Sequence, residues 1–250
     1  LIKGFVGGDI SVASQYAGWL MASYAIMQFL FSPILGGLSD QVGRRPVILA
    51  SLFGFTIDYL VLAFAPNILW LFIGRIMSGI TGASFTTAQA YIADVSKPED
   101  RAKNFGALGA AFGLGFIVGP YLGGKLSSPD VSFYGLFDTP SWFGATTPFW
   151  FAAILAMLNC VAVLTTFPET IKEKFHAGKL NALQSVTNVV DGFKSDRLRS
   201  ILIPGFLFSM GFTFFTTFFG IYLRNNFNFG PSKTGDYFAI VGLFIAFSQA

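Results

Sequence analysis

The segment Gly36-Gly37-Leu38-Ser39-Asp40-Gln41-Val42-Gly43-Arg44-Arg45-Pro46 separates two long apolar runs of the chain. It is rich in glycine, which tolerates crowding and positive φ, and it ends in a proline, which suits the first turn of a helix. A connection this short predicts that the flanking runs are two membrane helices that lie side by side and antiparallel. Its two arginines predict that the connection is cytoplasmic, because lysine and arginine beside a span are retained on that side. We name residues 36–46 the signature segment.

The overall composition predicts an integral membrane protein. Hydrophobic residues make up 53% of the chain and charged residues only 12%, whereas a soluble domain carries about 25% charge. The net charge is +3, but no basic block is present to hold phosphates, so we expect no nucleic-acid partner. The single Cys160 lies in an apolar run and excludes an internal disulfide, and the single His176 argues against a histidine metal cluster. We therefore expect neither a metal nor a cofactor.

Seven apolar runs predict transmembrane helices, so the expected fold is that of an all-α membrane protein. Each complete run is close to the ~20 residues that cross ~30 Å of hydrocarbon. The predicted spans are residues 15–35, 47–65, 68–93, 104–124, 148–167 and 200–223, with a seventh that begins near residue 235 and is cut at 250. Residues 1–14 are predicted to be a polar lead. Because the chain begins at Leu1 without a methionine and shows no signal peptide, we expect it to be a fragment.

The distribution of basic residues predicts how these spans are oriented. The loops at 36–46, 94–103 and 168–199 hold eleven of the sixteen lysines and arginines, and the alternate loops hold four. This bias predicts that the first set of loops is cytoplasmic. We expect the protein in the plasma (inner) membrane, crossing the lipid bilayer several times.

The pattern Gly-x-Leu-x-Asp-x-x-Gly-Arg-Arg in the signature segment resembles the signature loop of the major facilitator superfamily, a large family of secondary transporters. The resemblance implies two six-helix halves joined by a central cytoplasmic loop. About seven of the twelve expected helices would then be present. Residues 1–167 would form the N-terminal half without its first helix, residues 168–199 the linker, and residues 200–250 the start of the C-terminal half.

The linker contains apolar residues at helical spacing. They predict a short amphipathic helix at the membrane surface, and the alternative is a solvated linker with incidental apolar residues. The residues of this pattern are Leu183, Val186, Val189, Val190 and Phe193.

Two charged side chains lie within predicted spans. Asp58 in the second span and Arg75 in the third lie at similar depth, roughly 18 to 20 Å from the cytoplasmic side at 1.5 Å per residue. A charge at this depth costs at least ~2.5 kcal/mol on insertion scales, so such residues usually face a cavity or each other. One interpretation is a buried ion pair that only fixes helix register. The other is that Asp58 faces the transport pathway and helps to bind protons or a cationic substrate.

The sequence around both residues extends the resemblance. Residues 54–62, with Ile57-Asp58-Tyr59, and residues 74–83 resemble the tetracycline:proton antiporter branch of the superfamily and, more broadly, the drug:proton antiporters. The resemblance implies that Asp58 is a functional membrane carboxylate and that Arg75 belongs to a motif tied to proton transfer. The usual acidic partner of this arginine lies on the first helix of the family. Asp58 as its local partner is therefore our own inference from depth.

The fourth predicted span is rich in glycine. Gly115, Gly119 and Gly123 recur at every fourth position and predict a smooth stripe for close helix approach. Pro120 should bend the same helix. Packing alone would explain this pattern. Together with Gly124, these residues also resemble the antiporter motif of the superfamily, Gly-x-x-x-Gly-Pro-x-x-Gly-Gly, which implies an exporter.

The resemblance also implies a cytoplasmic gate. In the family, an acid at the end of the third predicted span pairs with a signature arginine, which assigns these roles to Asp94 and Arg44, with Arg45 as the less favoured arginine. Asp40 would cap a helix of the other half. Gln41 stands where a basic residue is common, which would weaken the gate. An ordinary interfacial charge is the alternative for Asp94. The gate residues are Gly36, Asp40, Gly43, Arg44, Arg45 and Asp94.

Three polar residues within spans, Gln28, Gln89 and Asn159, either line a substrate cavity or form interhelical hydrogen bonds. We expect a monomeric secondary transporter, driven by the proton gradient, that exports a small amphiphilic compound or drug by alternating access. A proton symporter that imports a sugar or metabolite is the alternative within the class, and a seven-span receptor-like protein is the alternative outside it. No span carries paired His, Cys or Ser–His chemistry, so we expect no enzyme.

Overall fold

The computed structural model of the chain describes residues 1–129, 131, 138–171 and 183–249, with side chains up to residue 244. Nearly all of these residues are helical. The α-helices are α1 (Ile2–Phe5), α2 (Ile10–Val42), α3 (Arg44–Ala63), α4 (Ile68–Gly82), α5 (Phe85–Val95), α6 (Arg101–Leu126), α7 (Thr147–Thr166), α8 (Gln184–Lys194), α9 (Asp196–Phe227) and α10 (Pro231–Gln249). A short 3₁₀ helix, Pro98–Asp100, precedes α6.

Among the described residues, six helical segments are long and apolar enough to cross a membrane. They are α2, α3, α4 together with α5, α6 with the preceding 3₁₀ turn, α7 and α9. The six complete spans predicted from the sequence are therefore confirmed. The predicted seventh span corresponds to α10, which is helical from Pro231 but is not one of these six segments. Its predicted end at Ala250 lies outside the described residues.

The polar lead predicted for residues 1–14 is wrong, because α1 occupies part of it and α2 already begins at Ile10. Asp9 Oδ1 accepts hydrogen bonds from the backbone N–H groups of Ser11 at 2.8 Å and Val12 at 3.2 Å. This is the arrangement by which an N-cap side chain satisfies the free N–H groups at a helix start. The glycines and serines suggested a loop, but the cap begins the helix within them.

The signature segment is also not a loop. α2 continues to Val42 and α3 begins at Arg44, so only Gly43 stands between the two helices. Gly43 has a φ of 114°, a conformation that glycine adopts without a steric penalty. The predicted adjacency of the two helices is confirmed, since α2 and α3 contact each other. Pro46 lies in the first turn of α3, as predicted.

The third predicted span is divided into α4 and α5 by a break at Ala83 and Ser84. The carbonyl oxygen of Gly82 accepts a hydrogen bond from Gln28 Nε2 of α2 at 3.2 Å. Thr81 Oγ1 donates to a carbonyl oxygen of the preceding turn at 3.0 Å, and such bonds often bend helices. Side chains therefore bond to backbone carbonyl oxygens beside this break, which the hydropathy of the span does not reveal.

One closely packed group of helices consists of α2, α3, α4 and α7, and α6 packs closely against α10. α3 packs against both α4 and α7, and α2 packs against α4. A buried cluster of Leu20, Leu62, Ala65 and Leu71 joins α2, α3 and α4, and Phe149 of α7 packs against it. Elsewhere many large apolar side chains are exposed. Such a surface suits a lipid environment, because lipid tails are as apolar as leucine.

The predicted linker contains α8, which confirms a helix where the amphipathic pattern predicted one. Residues 172–182, with His176, lie outside the described residues. On α8, Ser185 and Gly192 are buried, and Ser185 Oγ donates to the carbonyl oxygen of Phe29 in α2. The predicted place of this helix at the membrane surface and the predicted domain boundaries stay predictions. The apolar residues of the pattern are all exposed, as are most of the polar residues between them; the apolar ones are Leu183, Val186, Val189, Val190 and Phe193.

Candidate functional site

Asp58 lies on α3 inside the helix bundle, and its side chain is fully buried. One carboxylate oxygen, Oδ2, accepts a hydrogen bond from Ser78 Oγ of α4. The other oxygen, Oδ1, is buried and has no hydrogen-bond partner among the described residues. A buried polar atom without a partner costs free energy and calls for an explanation. Binding of a proton, or of a polar group of a ligand, would supply one.

α4 approaches Asp58 closely because the residue opposite is a glycine. A Cβ atom added to Gly74 would lie 2.9 Å from Asp58 Oδ1 and 2.6 Å from Leu62 Cδ2. Small residues permit this kind of approach between membrane helices. Gly74 therefore sets the separation of α3 and α4 at the depth of Asp58. The only signal for this role in the sequence is the position of the glycine beside Arg75.

Arg75 follows Gly74 on α4 but forms no salt bridge with Asp58 within the described part of the chain. It lines a cavity of about 450 Å³ together with Leu71 and Thr217. The two residues thus lie on neighbouring helices, as expected, but without the direct ion pair that one interpretation required. Their role in proton coupling stays a prediction.

A network of charged side chains connects the helix ends at the predicted cytoplasmic side. Arg44 Nη1 lies 2.6 Å from Asp40 Oδ1, and Arg44 Nε lies 3.2 Å from Asp94 Oδ2. Arg44 Nη1 also donates to Ser39 Oγ at 2.5 Å. Arg44, at the start of α3, thereby joins the end of α2 to the end of α5. The structure brings together Arg44 and Asp94, the pair that the resemblance implied.

Asp40 and Arg45 have different surroundings from those the resemblance implied. Asp40 pairs with Arg44 of the following helix, and its predicted role at a helix of the other half stays a prediction. Arg45 donates through Nη2 to the carbonyl oxygen of Leu164, near the end of α7, at 2.6 Å. Arg45 therefore anchors α3 to α7 and takes no part in the contact with Asp94. Gly36 lies opposite α5, where an added Cβ would be 3.8 Å from Thr86 Oγ1.

Glu169, just after α7, belongs to the same network and was not predicted. Its Oε1 accepts the backbone N–H of Arg44 at 2.9 Å, and its Oε2 accepts that of Arg45 at 3.2 Å. The carboxylate thus lies at the N-terminus of α3, where the helix dipole favours a negative charge. Burial opposes its ionisation, but hydrogen bonds from the backbone N–H groups of Ile171, Arg44, Thr170 and Arg45 outweigh burial and lower the pKa of Glu169 below its ordinary value.

Two further contacts complete this arrangement. Thr170 Oγ1 donates to Asp94 Oδ2 at 3.2 Å, and Tyr91 OH of α5 donates to the carbonyl oxygen of Pro168 at 3.2 Å. A Cβ atom on Gly43 would overlap the carboxylate of Glu169, so the glycine also makes room for the acid. The side chains join α2, α3, α5 and the segment after α7. We name them the gate network: Ser39, Asp40, Arg44, Asp94, Glu169 and Thr170.

The glycine-rich helix α6 packs through a different face from the one predicted. A Cβ atom added to Gly115, Gly119 or Gly123 would meet nothing within 4 Å among the described residues, so no close helix approach is seen there along the predicted stripe. A Cβ on Gly124 would instead lie 2.5 Å from the carbonyl oxygen of Pro231 in α10. The spacing of small residues does not reveal which face turns towards a partner, because adjacent residues of a helix point about 100° apart.

Pro120 lies inside α6, on the face that meets α10. A Cβ atom added to Gly235 of α10 would lie 2.5 Å from the carbonyl oxygen of Pro120. Pro120, Gly123 and Gly124 also line a cavity of about 500 Å³ beside α9 and α10. Of the residues in the antiporter motif, Pro120 and Gly124 make the contact between α6 and α10, and Gly123 lines the adjacent cavity.

The polar residues predicted within spans divide into two groups. Gln28 and Asn159 line a cavity of about 660 Å³ between α2, α3, α5 and α7, together with Tyr24 and Tyr91. Gln89 is not among the residues that line it. Gln28 also makes the hydrogen bond to α4 described above, so both interpretations apply to it. The described residues contain no group of three or more His, Cys, Asp or Glu side chains that could hold a metal ion.

Comparison with known proteins supports this architecture. The sequence model of the protein family Major Facilitator Superfamily matches residues 1–250. The tetracycline resistance protein of class C from Escherichia coli is 37% identical over 250 residues, which is 100% of this chain and 59% of the relative. The class H protein from Pasteurella multocida is 36% identical over 251 residues, again 100% of this chain and 59% of the relative. The chain thus spans somewhat more than half the length of these relatives.

A solved structure has the same fold. The crystal structure of the human organic anion transporter MFSD10 (TETRAN) superposes with a TM-score of 0.68 at 24% identity, over 97% of this chain and 58% of the other. The family match excludes the seven-span receptor considered above and agrees with the expectation of a protein that is not an enzyme. The chain is a multi-pass membrane protein that belongs to the major facilitator superfamily of transporters.

Proposed function

We propose that the chain is part of a proton-coupled antiporter that exports small amphiphilic compounds or drugs. The observation that carries the proposal is Asp58, a fully buried carboxylate on a membrane span, one oxygen of which has no hydrogen-bond partner among the described residues. Acids are costly at such depth and in most cases serve a transport or proton pathway. Similarity along the whole chain to tetracycline resistance proteins supports an exported drug as the substrate.

The mechanism we propose is alternating access, in which two halves rock about a site near the middle of the membrane. Protonation of Asp58 on one side of the membrane would favour one state, and its release on the other side would favour the second. The gate network would hold the cytoplasmic ends of α2, α3 and α5 together in one of these states. The proton gradient would supply the driving force, without a cofactor, to a monomeric protein.

We also propose that the protein lies in the plasma (inner) membrane with the signature segment and the linker on the cytoplasmic side. The bias of basic residues supports this orientation. A test replaces Cys160 by alanine and introduces one cysteine at Lys97 or at Gly230, both of which are exposed. A membrane-impermeant thiol reagent should label Lys97→Cys only in inverted vesicles and Gly230→Cys only in right-side-out vesicles. The reverse pattern would invert the topology.

The experiment that tests the function measures substrate-induced proton release in inverted vesicles that contain the full-length transporter. Tetracycline and fluorescent cationic drugs serve as probes. Asp58→Asn keeps the shape of the side chain but removes the acid, and Ser78→Ala is the matched control that removes only its hydrogen bond. We expect release from the parent and from Ser78→Ala, and none from Asp58→Asn. Equal release from all three would make Asp58 structural, and no response to any exported compound would favour an importer.

A further inference from the structure

A buried lysine ties α6 to α10 at the ends of these helices opposite the gate network. Lys125 lies in the last turn of α6 and is only 8% exposed. Its Nζ donates to Ser232 Oγ at 2.8 Å and lies 3.1 Å from Asp236 Oδ2. Ser232 and Asp236 are one turn apart on α10, so both present their oxygens to the same ammonium group.

The surroundings make this contact more than a surface ion pair. Lysine is rarely buried unless it is paired, and the ring of Tyr121, one turn earlier on α6, lies 5.6 Å from Nζ. The second carboxylate oxygen, Asp236 Oδ1, is buried without a hydrogen-bond partner among the described residues. Asp236 is thus held against α6 although only one of its oxygens is satisfied.

The backbones next to the ion pair are in close contact. Gly124 and Gly235 leave no space for a Cβ atom between α6 and α10. Further along the helices, a Cβ atom on Gly242 would lie 2.5 Å from Ile117 Cγ1. The contact therefore runs from Lys125 back to Ile117 along α6. Any separation of the two helices must break the bonds of Lys125 first or together with this packing.

The two helices belong to different halves under the predicted domain boundaries. α6 lies in the region 1–167 and α10 in the region 200–250, and Lys125 lies on the outer side under the predicted orientation. Alternating access requires the outer ends of the two halves to separate in one state.

We propose that Lys125, Ser232 and Asp236 form a charged latch that holds the outer side closed and opens when the protein turns outward. The latch rests on the proposed alternating-access function, but it assigns a role to residues that are not needed for the proton site. It predicts that weakening the latch increases the population of the outward-open state.

The test uses a cysteine reporter beside the latch. Gly123 lines the cavity next to α10, and an added Cβ atom there meets no described residue within 4 Å, so Gly123→Cys in a Cys160→Ala background should fold. Its rate of reaction with an impermeant maleimide, added to right-side-out vesicles, reports opening of the outer side. Gly230→Cys, in the exposed turn before α10, is the matched control for exposure that does not depend on the latch.

We expect Lys125→Ala and Asp236→Asn each to raise the labelling rate of Gly123→Cys by about five-fold, as expected for the loss of one ion pair, without changing that of Gly230→Cys. The charge exchange of Lys125→Asp with Asp236→Lys should return the rate towards the parent value. Ser232→Ala, which removes only a hydroxyl, provides a milder variant if the others fold poorly. Unchanged labelling in the single variants, or no recovery in the exchange, would overturn the latch.

The outcome is separable from that of the proposed function. If drug-dependent proton release is absent but labelling responds to the latch variants as expected, the latch stands and the export proposal fails. If proton release depends on Asp58 while the labelling rates stay unchanged, the export proposal stands and the latch is rejected.

Discussion

The carboxylate of Glu169 accepts the backbone N–H of Arg44 at 2.9 Å, although the two residues are 125 positions apart in the sequence. The contact places an acid from the end of α7 on the first turn of α3. There it satisfies N–H groups that a helix start leaves free. The side chain of the same arginine holds Asp94 at 3.2 Å. One residue therefore receives the cap through its backbone and extends the gate network through its side chain.

Replacement of Glu169 by alanine should destabilise the folded protein by about 1 kcal/mol, because α3 loses the side chain that caps its N-terminus. Thermal unfolding of the purified protein in detergent measures the effect. Glu99→Ala is the control, since Glu99 is an exposed acid near the same side of the bundle. If both replacements lowered the melting temperature equally, the contact of Glu169 with α3 would not contribute specifically to stability.

The contribution of Glu169 should depend on pH. Its pKa lies below the ordinary value of 4.5 in the folded protein, so the ionised carboxylate stabilises the fold at pH values above 4.5. This stabilisation is lost as the pH falls through the lowered pKa. The difference in unfolding free energy between the parent and Glu169→Gln should therefore be constant near neutrality and narrow under acid conditions. A difference that does not change with pH would contradict the assignment.

The pair of Arg44 and Asp94 should show a measurable coupling free energy. Their side chains are 13% and 36% exposed, and for such partly screened pairs double-mutant cycles give about 0.5–1 kcal/mol. The cycle consists of Arg44→Ala, Asp94→Ala and the double variant, measured by unfolding. The exposed pair of Lys194 and Asp191 on α8 serves as the reference and should show coupling near zero. Equal coupling in both pairs would argue against a specific gate contact.

Gly124 should be far less tolerant of substitution than Gly115, although both belong to the same glycine-rich helix. In Gly124→Ala the new Cβ would lie 2.5 Å from a backbone oxygen of α10, which cannot move aside as a flexible side chain can. Overpacking of this kind costs about 1–3 kcal/mol. In Gly115→Ala the new atom meets nothing within 4 Å. Comparison of the two melting temperatures tests the interface, and equal tolerance would contradict it.

The sequence predicted those features that depend on composition and on neighbouring residues. Long apolar runs located the six spans, and the resemblance of the signature segment paired Arg44 with Asp94. Glu169 was missed because its partners are backbone N–H groups, which carry no residue-specific signal, and they lie far away in the sequence. The signature segment was predicted as a loop because several glycines and charged residues lie close together in it. In the structure, only Gly43 leaves the helical conformation.

The sequence also did not predict how each helix is rotated about its own axis, that is, which of its faces meets a neighbouring helix. The four-residue spacing of Gly115, Gly119 and Gly123 predicted that their face makes the close contact, but Pro120 and Gly124 form the contact with α10. The choice between these two faces depends on residues of α10 that lie more than a hundred positions later. Likewise, the similar depth of Asp58 and Arg75 stays a prediction, and depth alone does not determine whether two side chains point towards each other.

The single residue between α2 and α3 has a mechanical consequence. Arg44 and Asp58 are carried by the same uninterrupted helix, about 21 Å apart at 1.5 Å per residue, and Gly43 is the pivot at one end of it. A tilt of about 10° around this pivot would move Asp58 by roughly 4 Å, which exceeds the length of a hydrogen bond. Arg44, beside the pivot, would hardly move. Such a tilt would carry Asp58 away from Ser78 while Arg44 remained next to Asp94.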